Sequence, residues 1–260
     1  MIRVSDLTVV FAPGTVLETQ ALCRIDLALP AGQFVTVIGS NGAGKSTLLN
    51  AITGNVRLAA GRIEVDDQDV TAWSAPVRAA LMARVFQDPL AGSCEELSIE
   101  ENLALAAARG RRRGLGAALS QELRETFRAR LATLGLGLER RLGDRMGLLS
   151  GGQRQVVSLV MATLAPMKIL LLDEHTAALD PKTADFVLDL TRRIVAEQRL
   201  TTMMVTHSMR QALDCGERTI MLHDGRVCFD LDGPGRAGLE VADLIALFAK
   251  VRGETPIEAV

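Results

Sequence analysis

The sequence predicts an α/β fold with a mainly parallel sheet, an antiparallel β subdomain at the N-terminal end and a helical subdomain inserted in the middle. Three observations carry that expectation. Short apolar β-rich runs lead into helix-opening loops, first at residues 34–38 (FVTVI) and again at 169–172 (ILLL). The middle of the chain is rich in Ala and Leu and reads as helix. The last third alternates strand and helix, which in one sheet implies parallel strands covered on both faces. A length of 260 residues fits one such domain carrying an insertion, and 48% hydrophobic residues supply a core rather than a disordered chain.

In chain order, residues 3–11 and 23–30 alternate apolar and polar as strands, with the turn-prone APGT at 12–15 between them. The strand at 34–38 runs into a glycine-bearing loop, and 45–53 reads as a helix stopped by Gly54. Strands follow at 62–65 and near Val85. Ser98 with Glu101 makes a capping box that opens a helix to about Ala108. A basic loop with Arg109 and 111–113 is expected to be solvated, and a second helix is expected over about 117–134. Then come the strand 169–172, a helix after Pro181, the strand 201–205 and a helix after Ser208. Strands at 219–222 and 226–230 flank the turn Asp224-Gly225, and a short helix is expected near 241–250.

The 29 basic and 31 acidic residues leave a net charge of −2, which argues against bare nucleic acid as a partner. The four cysteines, Cys23, Cys94, Cys215 and Cys228, stand far apart and suggest neither a zinc site nor a disulfide framework. The N-terminus has no uninterrupted apolar stretch of the signal-peptide kind, and the longest apolar region, 156–172, is broken by Pro166 and Lys168. A cytoplasmic chain is expected.

The loop after the third strand reads Gly39, Ser40, Asn41, Gly42, Ala43, Gly44, Lys45, Ser46, Thr47 and fits GxxxxGK[ST] between a strand and a helix. Glycines there let backbone N–H groups turn inward as an anion cradle, and the helix N-terminus adds its positive end. Lys45 supplies a point charge for β- and γ-phosphates, and the Ser46 hydroxyl reaches Mg²⁺. Nucleotide binding follows. The strand at 169–172 ends in Asp173 and Glu174. Carboxyl ends of parallel strands face the ligand crevice, so Asp173 is placed to hold Mg²⁺ and Glu174 to polarise an attacking water.

Leu149-Ser150-Gly151-Gly152-Gln153, ahead of that acidic strand, resembles the signature motif of ABC ATPases. Gln87 in Phe86-Gln87-Asp88-Pro89 resembles the family's Q-loop, Ala178-Leu179-Asp180 its D-loop, and His207 in Val205-Thr206-His207-Ser208 its switch histidine. The resemblance covers the chain to about residue 230. It implies a P-loop NTPase core of the ABC ATPase type, one nucleotide-binding domain over 1–230 with a helical insertion at about 88–160, and a tail over 231–260.

The resemblance further implies that ATP and Mg²⁺ are bound and that two copies pack head to tail around two ATP molecules. Ser150, Gly151, Gly152 and Gln153 would then serve the γ-phosphate held by the neighbouring copy, with Asp180 beside it. Gln87 would contact the metal and take part in catalysis, and His207 would contact the γ-phosphate. Phe11 stands where the family stacks an aromatic on adenine, a contact worth about 1–3 kcal/mol by analogy with base stacking; the competing reading is a core phenylalanine at a strand end. His175 and His223 carry no such implication. His175-Thr176-Ala177 departs from the commoner Pro-Thr-Ser wording but removes no charge or ligand.

DEHTAALDP, VTHSMRQALD and TIMLHDGR resemble the subgroup associated with importers of the tryptophan/tyrosine type. The implied function is therefore an ATPase subunit peripheral to the inner face of the membrane. It would act on an integral membrane permease and, through that, with a substrate-binding protein. An export or lipid-handling system, and a soluble ATPase of metal-cluster assembly, share the same motifs.

Overall fold

The computed structural model describes residues 1–111 and 118–251. The chain opens with β1 (Ile2–Phe11), β2 (Thr19–Leu29), β3 (Phe34–Gly39), α1 (Lys45–Thr53), β4 (Ala60–Val65), β5 (Gln68–Asp69) and α2 (Ala75–Arg78). It continues through β6 (Met82–Val85), α3 (Ile99–Ala107), α4 (Gln121–Ala132), α5 (Gly151–Thr163), β7 (Ile169–Asp173) and α6 (Pro181–Gln198). It closes with β8 (Thr202–Val205), α7 (Met209–Asp214), β9 (Arg218–His223), β10 (Arg226–Asp232), α8 (Gly233–Arg236) and α9 (Val241–Val251). Two compact units result, one of Met1–Arg78 with Gln198–Val260 and one of Ala79–Glu197.

In the first unit β1 pairs antiparallel with β2 and β4, and β4 with β5. Strand alternation slips between Val4 and Leu7, both buried, because a bulge there carries Asp6 at φ +48°. β2 begins at Thr19, four residues before the expected start, because the hairpin keeps pairing through exposed polar positions. β3 lies between β8 and β9 and is parallel to both, and β10 returns antiparallel on β9 through Asp224-Gly225. All six residues of β3 are buried, as a strand covered on both faces requires. Its one hydroxyl, Thr36 Oγ1, donates to Ala212 O at 3.0 Å.

The C-terminal segment is fastened to this unit. Leu244 is buried against Ile38, Ala212 and Met221, with Leu247, Phe248 and Val251 packed around them. The Arg236 guanidinium donates to Ala212 O, Leu213 O and Cys215 O at 2.8–2.9 Å. Those carbonyls at the end of α7 have no intrahelical donor, so the arginine satisfies them.

In the second unit β6 and β7 pair in parallel, with Arg84 opposite Leu171. The Ser98–Glu101 capping box is formed at the start of α3. Helix α4 starts at Gln121 behind the cap Ser120, and the expected earlier start at Ala117 lies outside the described residues. Phe127 and Leu131 of α4 are buried, and α5 is buried from Gln155 through Ala162. Arg111 is exposed, as expected of the basic loop, whereas Arg109 departs from that expectation: it is half-buried and donates from Nη2 to Ala165 O at 3.0 Å. Burial pushes its pKa below the usual guanidinium value. Arg112 and Arg113 lie outside the described residues.

Candidate functional site

The first unit carries the phosphate loop between the end of β3 and the start of α1. Gly44 is the N-cap of α1 at φ 99° and makes no side-chain cap. A Cβ on Gly44 would meet Ala21 O at 2.7 Å, so position 44 requires glycine for both conformation and space. Gly44 brings no capping side chain to this nine-residue helix, and a helix N-terminus favours an anion. Lys45 is buried, and its Nζ donates to Gly39 O at 2.7 Å and Ser40 O at 3.0 Å. The ammonium therefore lies along the loop. Asn41, Gly42 and Ser46 are exposed, Thr47 is half-buried, and Ala43 is buried. The Asp224-Gly225 turn supports the loop from behind, with Gly225 N donating to Ala43 O at 3.2 Å.

His207 follows β8 and is exposed. Val205 pairs with Val37, and Thr206 N donates to Val37 O at 3.0 Å, so His207 and the phosphate loop leave neighbouring parallel strands at the same end. Thr206 Oγ1 donates to Gln211 Oε1 at 2.8 Å and accepts from Ser208 N at 3.1 Å, which ties the turn bearing His207 to α7. Phe11 is 44% exposed at the end of β1 and pairs with Thr19, two residues before Ala21, whose carbonyl abuts Gly44. The first unit thus brings Phe11, the loop 39–47 and His207 to one region.

The second unit carries the acids and the signature segment. Asp173 ends β7, and its Oδ2 accepts from Arg84 Nη2 at 2.5 Å. Glu174 is half-buried at φ +46°. A non-glycine residue there stores strain, and such outliers gather where function fixes them. His175 is fully buried, and its Nε2 lies 3.0 Å from Thr191 Oγ1 on α6. Because that hydroxyl donates to Val187 O at 2.8 Å, it accepts from the imidazole, which is neutral and protonated on Nε2. Burial pushes the His175 pKa down to about 4.

Ser150 caps α5 by accepting from Gln153 N, while Gln153 Oε1 accepts from Ser150 N, both at 3.2 Å. In this state each side chain accepts from the other residue's backbone N–H. Gly152 lies against Thr183 at the start of α6, and Gly151 is exposed. Asp180 Oδ1 accepts from Thr183 N at 3.1 Å, and hydrogen bonding to Thr183 holds its carboxyl below the usual range. Gln87 is exposed just beyond β6, and the carbonyl of Phe86 before it accepts from buried Gln155 Nε2 at 3.1 Å. The sequence pattern alone missed Arg84, His175 and Gln155. A charged residue in the otherwise apolar strand Met82–Val85 was the signal for the first.

No cluster of three or more His, Cys, Asp or Glu suited to a metal occurs among the described residues. Asp173 and Gln87 in the second unit offer a carboxylate and an amide oxygen, and Ser46 in the first offers a hydroxyl, each a hard donor of the kind Mg²⁺ takes with phosphate and water. No helix among the described residues is long and apolar enough to cross a membrane.

Comparison with known proteins places this arrangement. Residues 22–177 match the ABC transporter family. The chain is 42% identical over 236 residues to a tyrosine transport ATP-binding protein of Clostridioides difficile, covering 91% of this chain and 92% of that protein. It is 32% identical over 264 residues to the energy-coupling factor transporter ATP-binding protein EcfA2 of Clostridium acetobutylicum, covering 96% and 89%. Among solved structures it resembles the dimeric post-hydrolysis state of the ATP-binding cassette MJ0796 bound to ADP and Pi. The TM-score is 0.76 at 29% identity, over 92% of this chain and all of that one. The chain belongs to the ABC transporter family and is one of its ATPases.

Proposed function

We propose that this chain is the ATP-hydrolysing subunit of an ABC importer for a small molecule of the amino-acid class. It would act as a pair of like subunits on the cytoplasmic face of an integral permease that receives cargo from a substrate-binding protein. The observation that carries the nucleotide chemistry is the loop 39–47, where left-handed Gly44 leaves the start of α1 without a side-chain cap and Lys45 lies along the loop. The dimeric MJ0796 cassette supports the pairing, and the name of the Clostridioides difficile relative, a tyrosine transport protein, supports the cargo class.

In this reading Gly39 to Thr47 hold the phosphates and Phe11 stacks on the base. Ser46, Asp173 and Gln87 hold Mg²⁺, which screens phosphate charge when bound. Glu174 accepts a proton from the attacking water, and its backbone is held at φ +46°, the kind of outlier that gathers at functional sites. His207 steadies the γ-phosphate. Ser150 to Gln153 and Asp180 complete the site of the second copy, so one chain alone holds half of each site. ATP favours the closed pair, hydrolysis removes that preference, and the cycle drives the permease.

Two measurements test this. Lys45→Ala is expected to lose ATP affinity, and unchanged affinity would remove the loop from the account. Affinity capture of the tagged protein from gently solubilised native membranes is expected to bring a multi-span permease. Capture of soluble partners alone would contradict the transport role while leaving the ATPase intact.

A further inference from the structure

We infer that Arg84 is a positioning residue for the metal site: its guanidinium holds the Asp173 carboxylate by Oδ2 and leaves Oδ1 as the oxygen offered to Mg²⁺. The strand pairing explains how it reaches. Arg84 stands opposite Leu171 in the parallel pair, and Leu171 and Asp173 share a face because side chains alternate along a strand. Its side chain extends forward to Asp173, with Nη2 to Oδ2 at 2.5 Å. Both side chains are nearly out of solvent, at 9% and 12% exposure.

A buried ion pair is poorly explained by stability alone, because apolar replacements of like volume often do as well. What this pair holds is a better reason for an arginine among Met82, Ala83 and Val85. The guanidinium also lies 4.7 Å over the Phe86 ring, immediately before Gln87. One side chain therefore touches the residue that supplies one proposed ligand and the neighbour of another. Groups that orient a metal ligand change metal affinity about 10–100-fold when removed. The inference rests on the reading of Asp173 and Gln87 as Mg²⁺ ligands.

The test separates metal from nucleotide. Binding of the non-hydrolysable β,γ-imido analogue of ATP is measured calorimetrically on the full chain, once in EDTA and once in saturating MgCl₂. Arg84→Met is expected to keep its EDTA affinity within about twofold while losing about tenfold or more of the gain from Mg²⁺. Arg84→Lys should lose less, since it keeps the charge but not the planar fork. Equal losses with and without Mg²⁺, or no loss in either, would leave the Mg²⁺ gain undiminished and overturn the inference. Should Arg84→Met fail to fold, Arg84→Lys decides: a Mg²⁺ gain equal to that of the unaltered chain contradicts the inference. Asp173→Asn is the control. If it keeps the full Mg²⁺ gain, the ligand reading itself fails; if it loses the gain and Arg84→Met does not, only this inference falls.

Discussion

Between Gly39 and Lys45 the anion cradle proposed for the first unit is built from backbone, whereas the second unit holds its acids through side chains sent from other elements. The cradle depends on a left-handed glycine, an uncapped helix start and loop carbonyls that receive Lys45. At the acidic strand end, Arg84 of β6 grips Asp173, and Thr191 of α6 receives His175. Gln155 of α5 fixes the carbonyl before Gln87. A backbone site binds any phosphate that fits and tolerates changes in side chains that point away from it. A side-chain site can be adjusted one residue at a time, and can also be disturbed by pH.

Three substitutions sharpen that contrast, from the largest expected effect downward. Gly44→Ala places a Cβ against Ala21 O at a φ that L-residues avoid. It should destabilise the fold by about 2 kcal/mol or more and abolish ATP binding. A stable, binding-competent Gly44→Ala protein would deny the backbone account of the loop. The second is read by pH. The folded chain holds His175 neutral down to about pH 4, while the unfolded chain protonates it near 6.5. Stability from this residue is therefore complete above pH 6.5 and lost as pH falls towards 4. Between pH 7 and 5 the loss should be about 2 kcal/mol. His175→Gln, which can still donate to Thr191, should remove that part of the slope in urea unfolding. An identical slope in the two proteins would show that His175 does not titrate as described.

The third substitution puts backbone dependence into the side-chain unit. Gly152→Ala drives a Cβ onto Thr183, whose side chain can turn aside at about 1 kcal/mol. The double variant with Thr183→Ser, which lacks the clashing methyl, should recover most of the lost thermal stability. No recovery would place the clash elsewhere.

The same division governs what was legible in the sequence. The glycine turn into α1, the acidic strand end and the capping box at Ser98 were readable because local chain chemistry dictates each of them. The order of strands and helices in the last third was readable for the same reason. Contacts made across elements were not. Arg84 stands out as a charge in an apolar strand, but its partner is found only when β6 is set beside β7, and Arg109 looked solvated until Ala165 came within reach. His175 stood beside the acids in the sequence, yet only its burial against Thr191 shows what it does there. The bulge at Asp6 and the early start of β2 escaped because hairpin register depends on the partner strand. The roles proposed for Ser150 and Gln153 came from resemblance, while in this chain the two are engaged as a capping box.

The central claim is that Glu174 is the group that activates water for hydrolysis, and Glu174→Gln tests it most directly. Steady-state ATP turnover and ATP-dependent dimerisation by size exclusion would be measured on the same preparation. Turnover should fall by about 100-fold or more, while ATP binding persists and the ATP-bound pair accumulates. Turnover equal to that of the unaltered protein would contradict the assignment and move the base to another residue.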